Sequence, residues 1–280
     1  MPLTPLRAPQ NPSQDLRHRV SVFNLTQQAL TALRDAVAKM KPRGDNKGFE
    51  YFAGIHGWPQ FRCQHSTDQG QAFLFLPWHR AYLYLFELAL QDQNQQARLC
   101  WWDWPASRQA GIPPAYEEQD VEGQPNPLAS GPLPQNVPNP PPNWSPTTQR
   151  EPGNPAELPG QEVVEEVLAI SDYYAFELAL ERQLHNNVHG WVGGDMGVIA
   201  TSAYDPIFWA HHTMVDRLWS LWQSKHASPG PPPDTYARPL GFGKLTVGDV
   251  LDTKRLGYDY AASVQHVDVP AEDPHANHQH

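Results

Sequence analysis

From Asn24 to Met40, Leu25, Ala29, Leu33, Ala36, Val37 and Met40 recur at the interval of a helix face, with Asn24 or Thr26 as cap and KPRGD as stop. A second helix is predicted from Pro77 to about Gln95, where PWHRAYLYLFELALQDQNQ keeps one face apolar and Pro77 suits a first turn. Helical patterns resume over Gln161 to Ile170 and Asp172 to His189, with Ser171 as the cap between them. SAYDPIFWAHHTMVDRLWSLWQSKH predicts a further helix, capped by Asp205 and opened by Pro206. His56 and His65 fall in aromatic-rich sequence that reads as irregular. The expected fold is mainly α, a central four-helix bundle with long irregular loops and minor β.

Residues 111–160 break this pattern. They carry 14 of the chain's 30 prolines and almost no periodicity, which predicts a long ordered excursion. The segments after it complete those before it, so the expectation is one domain over 1–280, with its core at about 17–260 and a polar tail after 260.

Composition narrows the function classes. Ten each of Trp, Tyr and Phe in 280 residues need burial or a lined cavity, which argues against disorder throughout. The formal charge is −10 and no basic stripe is present, so a nucleic-acid partner is not expected. No run of 18 apolar residues exists, so no membrane span is expected. MPLTPLRAPQNPSQD has no apolar signal core, and the expected location is cytoplasmic. Two cysteines do not make a disulfide framework; Cys100, in LCWWDW, reads as a small core residue.

The histidines carry the chemistry. His185 and His189 are four apart in helical sequence, which puts both rings on one face. That spacing serves a metal or, more plainly, two helix-face side chains. On the next helix the neighbours His211 and His212 point to different sides. If His212 faces inward it completes a three-nitrogen site with open positions, and Asp216, one turn on, either orients an imidazole or ties the helix to its neighbours. His56, His65 and His79 form a looser second triplet, separated by 9 and 14 residues. There is no HExxH and no CxxC to suggest zinc. Two all-imidazole triplets suit copper, because a neutral donor set tolerates both of its oxidation states.

These residues resemble the tyrosinase, catechol oxidase and hemocyanin family. HNNVHGWVGG (185–194) followed by DPIFWAHHTMVDRLW (205–219) is similar to the family's second copper motif, and FLPWHRAYLYLFE (75–87) to its first. The likeness runs from about Arg17 to Tyr260, where Tyr258-x-Tyr260 is similar to the tyrosine motif closing the family's catalytic core. It implies two copper ions with O2 as cosubstrate. His56, His65 and His79 would hold one ion, and His185, His189 and His212 the other, with His211 beside the ligands. Cys63, two before His65, would form the thioether known in fungal and plant members. Glu181 with Asn186 would hold a water that deprotonates a monophenol, with Glu177 as a competing candidate. Ile199 would be the gate residue, Met196 would border the pocket, and Phe208 would offer a ring face to substrate or simply pack in the core.

The same likeness implies an enzyme for small phenolic substrates. Within the family it favours a tyrosinase over a catechol oxidase, an o-aminophenol oxidase or hemocyanin-like O2 binding. Only 20 residues follow Tyr260, too few for the shielding domain of many relatives. A transient copper-delivery partner is compatible with the site, and the sequence leaves the oligomeric state open.

Overall fold

Every residue from Ile207 to Trp219 is buried, so this helix has no solvent face over that stretch and must sit at the centre of the molecule. The same holds from Phe75 to Tyr84. The computed structural model describes residues 16–66, 72–137 and 144–260. In chain order the elements are β1 (Arg17–Arg19), α1 (Gln27–Met40), α2 (Phe49–His56), α3 (Phe75–Gln93), α4 (Pro114–Glu117), β2 (Asp120–Val121), β3 (Gln124–Pro125), α5 (Gln161–Ala169), α6 (Tyr173–Ala179), α7 (Asn186–Val192), α8 (Ile207–His226) and β4 (Tyr258–Tyr260). A π-helical turn, Leu180–His185, joins α6 to α7. The fold is a mainly α bundle in which α1 lies on α3, α3 on α8, and the π-turn and α5 on α8. No helix among the described residues is long and apolar enough to cross a membrane.

Several local expectations are corrected. His56 ends a helix, α2, rather than lying in irregular sequence. This short helix is nearly all buried and so has no amphipathic period to read. Thr26, not Asn24, caps α1 by accepting from Ala29 N at 3.2 Å. Asp172, not Ser171, caps α6, accepting from Ala175 N at 2.9 Å. The helix predicted over Asp172 to His189 is interrupted by the π-turn. Such a turn shifts the helical phase, and here Glu181, Leu184 and His185 all face inward.

The two chain ends of the core meet. Strand β1 pairs in parallel with β4, Arg17 opposite Tyr258 and Arg19 opposite Tyr260. Their side chains enter a buried charge network. Arg19 reaches Glu87 at 2.9 Å and Asp216 at 3.2 Å, Arg80 reaches Asp216 at 2.5 Å, and Tyr258 donates to Asp216 at 2.7 Å. Tyr260 also donates to Asp216. Asp216 therefore ties α8 to α3 and the chain ends and does not orient an imidazole, so its expected place beside the copper ligands is corrected. Burial alone would raise its pKa, but Arg80 and Arg19 hold it below the usual value.

The proline-rich excursion packs on the same core through Tyr116, Leu128, Leu133 and Leu158. Arg150 pairs with buried Asp205 at 2.6 Å, just before α8, and donates to the Tyr116 and Leu128 carbonyls. Backbone bonds from Glu151 to Val192 and from Asp195 to Gln149, both 2.9 Å, hold the excursion against the end of α7 and the loop after it. The tail after Tyr260 and the first 15 residues lie outside the described residues.

Candidate metal centre

Helices α2, α3, α7 and α8 converge with the π-turn on one cluster of imidazoles. His185 ends the π-turn, His189 follows one turn later in α7, and His212 projects from the buried middle of α8. The His212 Nε2 lies 3.3 Å from His185 Nε2 and 3.2 Å from His189 Nε2. From the other side come His56 and His79, whose ligand atoms and that of His212 all lie within 4.8 Å of one another. His212 thus stands between the two groups, its ring stacked on His79 at 4.5 Å. His65, in the loop after α2, lies further out, with ring centroids 6.3 Å from His79 and 6.4 Å from His185.

Hydrogen bonds select the tautomer that a metal needs. His79 Nδ1 is held by the Phe75 carbonyl at 2.8 Å and His189 Nδ1 by the Met196 carbonyl at 2.7 Å. His185 Nδ1 meets Asn186 Oδ1 at 2.9 Å, and His65 Nδ1 meets Glu181 Oε1 at 2.9 Å. With Nδ1 as donor, the Nε2 of each neutral ring, His79, His185 and His189, offers a lone pair. The His79 Nε2 is buried and has no partner, an orphan that a metal ion would satisfy. Burial drives the pKa of His56, His79, His185 and His212 far below the ordinary value, and that of His189 to about 4, so these rings are neutral. His65 differs. Burial lowers its pKa, but hydrogen bonds and charge from Cys63 and Glu181 outweigh this and raise it to about 10. An all-imidazole set with open positions and no carboxylate ligand fits a pair of copper ions.

His211 falls within the same group of ligand atoms as His185, His189 and His212. Its ring stacks on His185 at 5.2 Å and lies tilted against Trp104 at 5.1 Å. His212 belongs to both groups of ligand atoms, His211 to one.

A cavity of about 600 Å³ opens onto the cluster and is lined by His56, His65, His185 and His189 together with Glu181, Asn186, Cys63, Met196 and Ile199. A larger surface cleft of about 730 Å³ along Arg217, Gln223 and Lys254 contains none of these histidines. Glu181 is 2% exposed and accepts from the Ser66 N–H at 2.9 Å as well as from His65. Glu177 does not reach the cavity. It accepts from the Phe73 and Leu76 N–H groups at the start of α3, and burial lifts its pKa to about 7. Met196 is fully buried and serves His189 through its carbonyl, while Ile199 is half exposed at the mouth. Phe208 is corrected. It has no exposed surface and no part in the cavity wall, because its ring is wedged 4.1 Å from His212 and 4.8 Å from His56. Cys63 is half-buried beside His65 and Cys100 is buried in the core near Tyr116.

Sequence reading missed the Phe75 and Met196 carbonyls, since a backbone acceptor has no residue signature. It also missed Phe61, which lines the cavity.

Six histidines from two halves of the chain, gathered about one bundle centre, define a dinuclear metal protein. Residues 46–225 match the family model for the common central domain of tyrosinase, and the chain belongs to the tyrosinase family. The tyrosinase of Streptomyces glaucescens is 36% identical over 181 residues, which are 56% of this chain and 64% of that protein. The chain thus spans less than two thirds of the length of that relative. Among solved structures, a tyrosinase from Burkholderia thailandensis superposes with a TM-score of 0.74 at 22% identity, covering 91% of this chain and 76% of the other. A functional unit of octopus hemocyanin superposes with a TM-score of 0.69 at 26% identity, covering 87% and 67%.

Proposed function

We propose that this protein is a tyrosinase, an oxidase that turns monophenols and catechols into o-quinones with O2 at a pair of copper ions held by the two histidine triplets. The observation that carries this reading is the cavity, which brings solvent to His56, His65, His185 and His189 and is large enough for a phenol. The similarity to Streptomyces tyrosinases supports it. In balance, a monophenol and one O2 give an o-quinone and water, and two catechols and one O2 give two o-quinones and two waters. Bound copper would supply the two-electron redox centre that takes up O2.

The chain supplies geometry and proton handling. Its helix-borne imidazoles are neutral and fixed before a ligand arrives, which removes reorganisation from the reaction. A phenol has a pKa near 10 and must lose its proton to bind as phenolate. Glu181 is the one carboxylate among the described cavity-lining residues, so it is the group that receives this proton directly or through water.

A second reading, a catechol oxidase, draws on the same residue. Both Glu181 oxygens already accept hydrogen bonds, from His65 and from Ser66, which weakens them as a base. Initial O2 uptake by copper-loaded protein separates the readings, with 4-methylphenol compared with 4-methylcatechol and a trace of catechol priming the monophenol run. Uptake with both, with catechol formed from the monophenol, is the expected result. Uptake with the catechol alone selects the second reading, and uptake with neither rejects both.

A further inference from the structure

Phe61 is held at a double cost. Its ring is 52% exposed, and its backbone lies at φ 46°, the left-handed region that disfavours a side chain. The core gains little from such a residue, so a strained backbone and an exposed ring together point to a ligand. Backbone hydrogen bonds tie the loop that carries it to α2 and its end. Phe61 N–H donates to the Gly57 carbonyl at 2.7 Å, Arg62 N–H to Ile55 at 2.9 Å, and Gln60 N–H to Gly54 at 3.1 Å.

A second apolar rim faces the same cavity. Ile199 is 52% exposed and lines the cavity with Phe61. The two loops are stitched together, since Trp58 N–H donates to the Ala200 carbonyl at 3.0 Å. Gly57 permits the closeness, for a Cβ there would meet the Ala200 oxygen at 2.3 Å and the Ile199 oxygen at 2.6 Å. Two of the few large exposed apolar side chains among the described residues therefore gather at this one mouth.

The charge around the mouth is as telling. No Lys or Arg is among the described residues lining the cavity, whose one carboxylate, Glu181, is already paired with His65 at 2.9 Å. Arg62 and Arg182 adjoin lining residues in sequence but do not line it themselves. Among the described lining residues no Lys or Arg offers a partner to a substrate carboxylate, and a carboxylate placed between Phe61 and Ile199 would lose water without return.

We propose that Phe61 and Ile199 form an apolar clamp for the para substituent, so that the preferred substrates are uncharged phenols and catechols with an apolar para chain, and carboxylate-bearing ones are disfavoured. This rests on the phenol-oxidase reading. The ring would enter toward the histidines while its para chain lies across the mouth against Phe61.

The test is kcat/KM of the copper-loaded protein for catechols with para methyl, ethyl, propyl and butyl chains, and for one with a para propanoate chain. Full burial of a methylene is worth about fourfold, so a half-open clamp gives about twofold per methylene and about eightfold from methyl to butyl. The propanoate falls below the propyl compound by at least about tenfold. In F61A the butyl-to-methyl ratio drops to about twofold, whereas a mere folding defect scales every substrate equally and leaves the ratio alone. Equilibrium dialysis of the matching 4-alkylanisoles, which do not turn over, shows the same trend in Kd. A flat chain-length series, or an unchanged ratio in F61A, overturns the clamp while oxidation of 4-methylcatechol keeps the enzymatic reading. No oxidation of any catechol sinks that reading itself, and a steep dialysis series would then still support the clamp as a binding site.

Discussion

The two histidine triplets are built differently. His185, His189 and His212 come from two continuous helical stretches, with His185 held by the side chain of the adjacent Asn186 and His189 by the Met196 carbonyl seven residues on. His56, His65 and His79 come from a helix end, a loop and a helix start, and His65 is held from across the cavity by Glu181. The second triplet is held within its own stretch of chain, whereas the first, although His79 has a local partner in the Phe75 carbonyl, depends at His65 on a tertiary contact. The loop-borne half should therefore be the first to lose its metal.

The largest effect should strike both halves at once. Asp216 is buried among Arg19, Arg80 and two tyrosines and joins α8 to α3, which carry one ligand each. D216A leaves the buried Arg80 guanidinium without a carboxylate partner, while Arg19 keeps Glu87, and should cost about 3–5 kcal/mol in urea unfolding. A loss under about 1 kcal/mol would mean that the network does not support the centre.

The sharper test separates the halves. E181A should weaken copper at the first triplet by about 10–100-fold and leave the second intact, read as retained copper after dialysis against a graded chelator. Equal loss at both sites would erase the contrast between the halves. N186A removes the acceptor for His185, a ring also fixed by its helix, and should cost at most about tenfold at the second triplet in the same assay.

The smallest effect is in acid. The carboxyl of Asp216 is held below its usual 3.8 by Arg80 and Arg19, against the effect of burial. A depressed carboxyl contributes stability that is complete above about pH 4 and lost as pH falls through the folded value. D216N should therefore show a shallower loss of stability than the native chain between about pH 4 and 2. A parallel decline in both would remove Asp216 from the acid response.

Legibility followed the same division. The apolar period located α1, α3, α5 and α8, and the four-residue spacing of His185 and His189 put two rings on one face. Helix α2 escaped because eight nearly all-buried residues show no face. The π-turn escaped because an extra residue per turn leaves no mark in composition. Phe208 and Asp216 were one turn from His212 on the correct helix, yet their partners lie on α2, α3 and the chain ends, contacts that only the folded chain displays. The described residues of the excursion, 111–137 and 144–160, pack on the core. Proline content does not reveal that Arg150 and the backbone near Gln149 brace the segment that positions Met196.

The most direct test of the central claim is the number of copper ions per chain, counted by native mass spectrometry together with O2 uptake on 4-methylcatechol. Two ions are expected in the native chain, one in H79A and one in H189A, with uptake only in the native chain. Two ions retained in either variant, or a single ion in the native chain, would contradict a centre built from two histidine triplets.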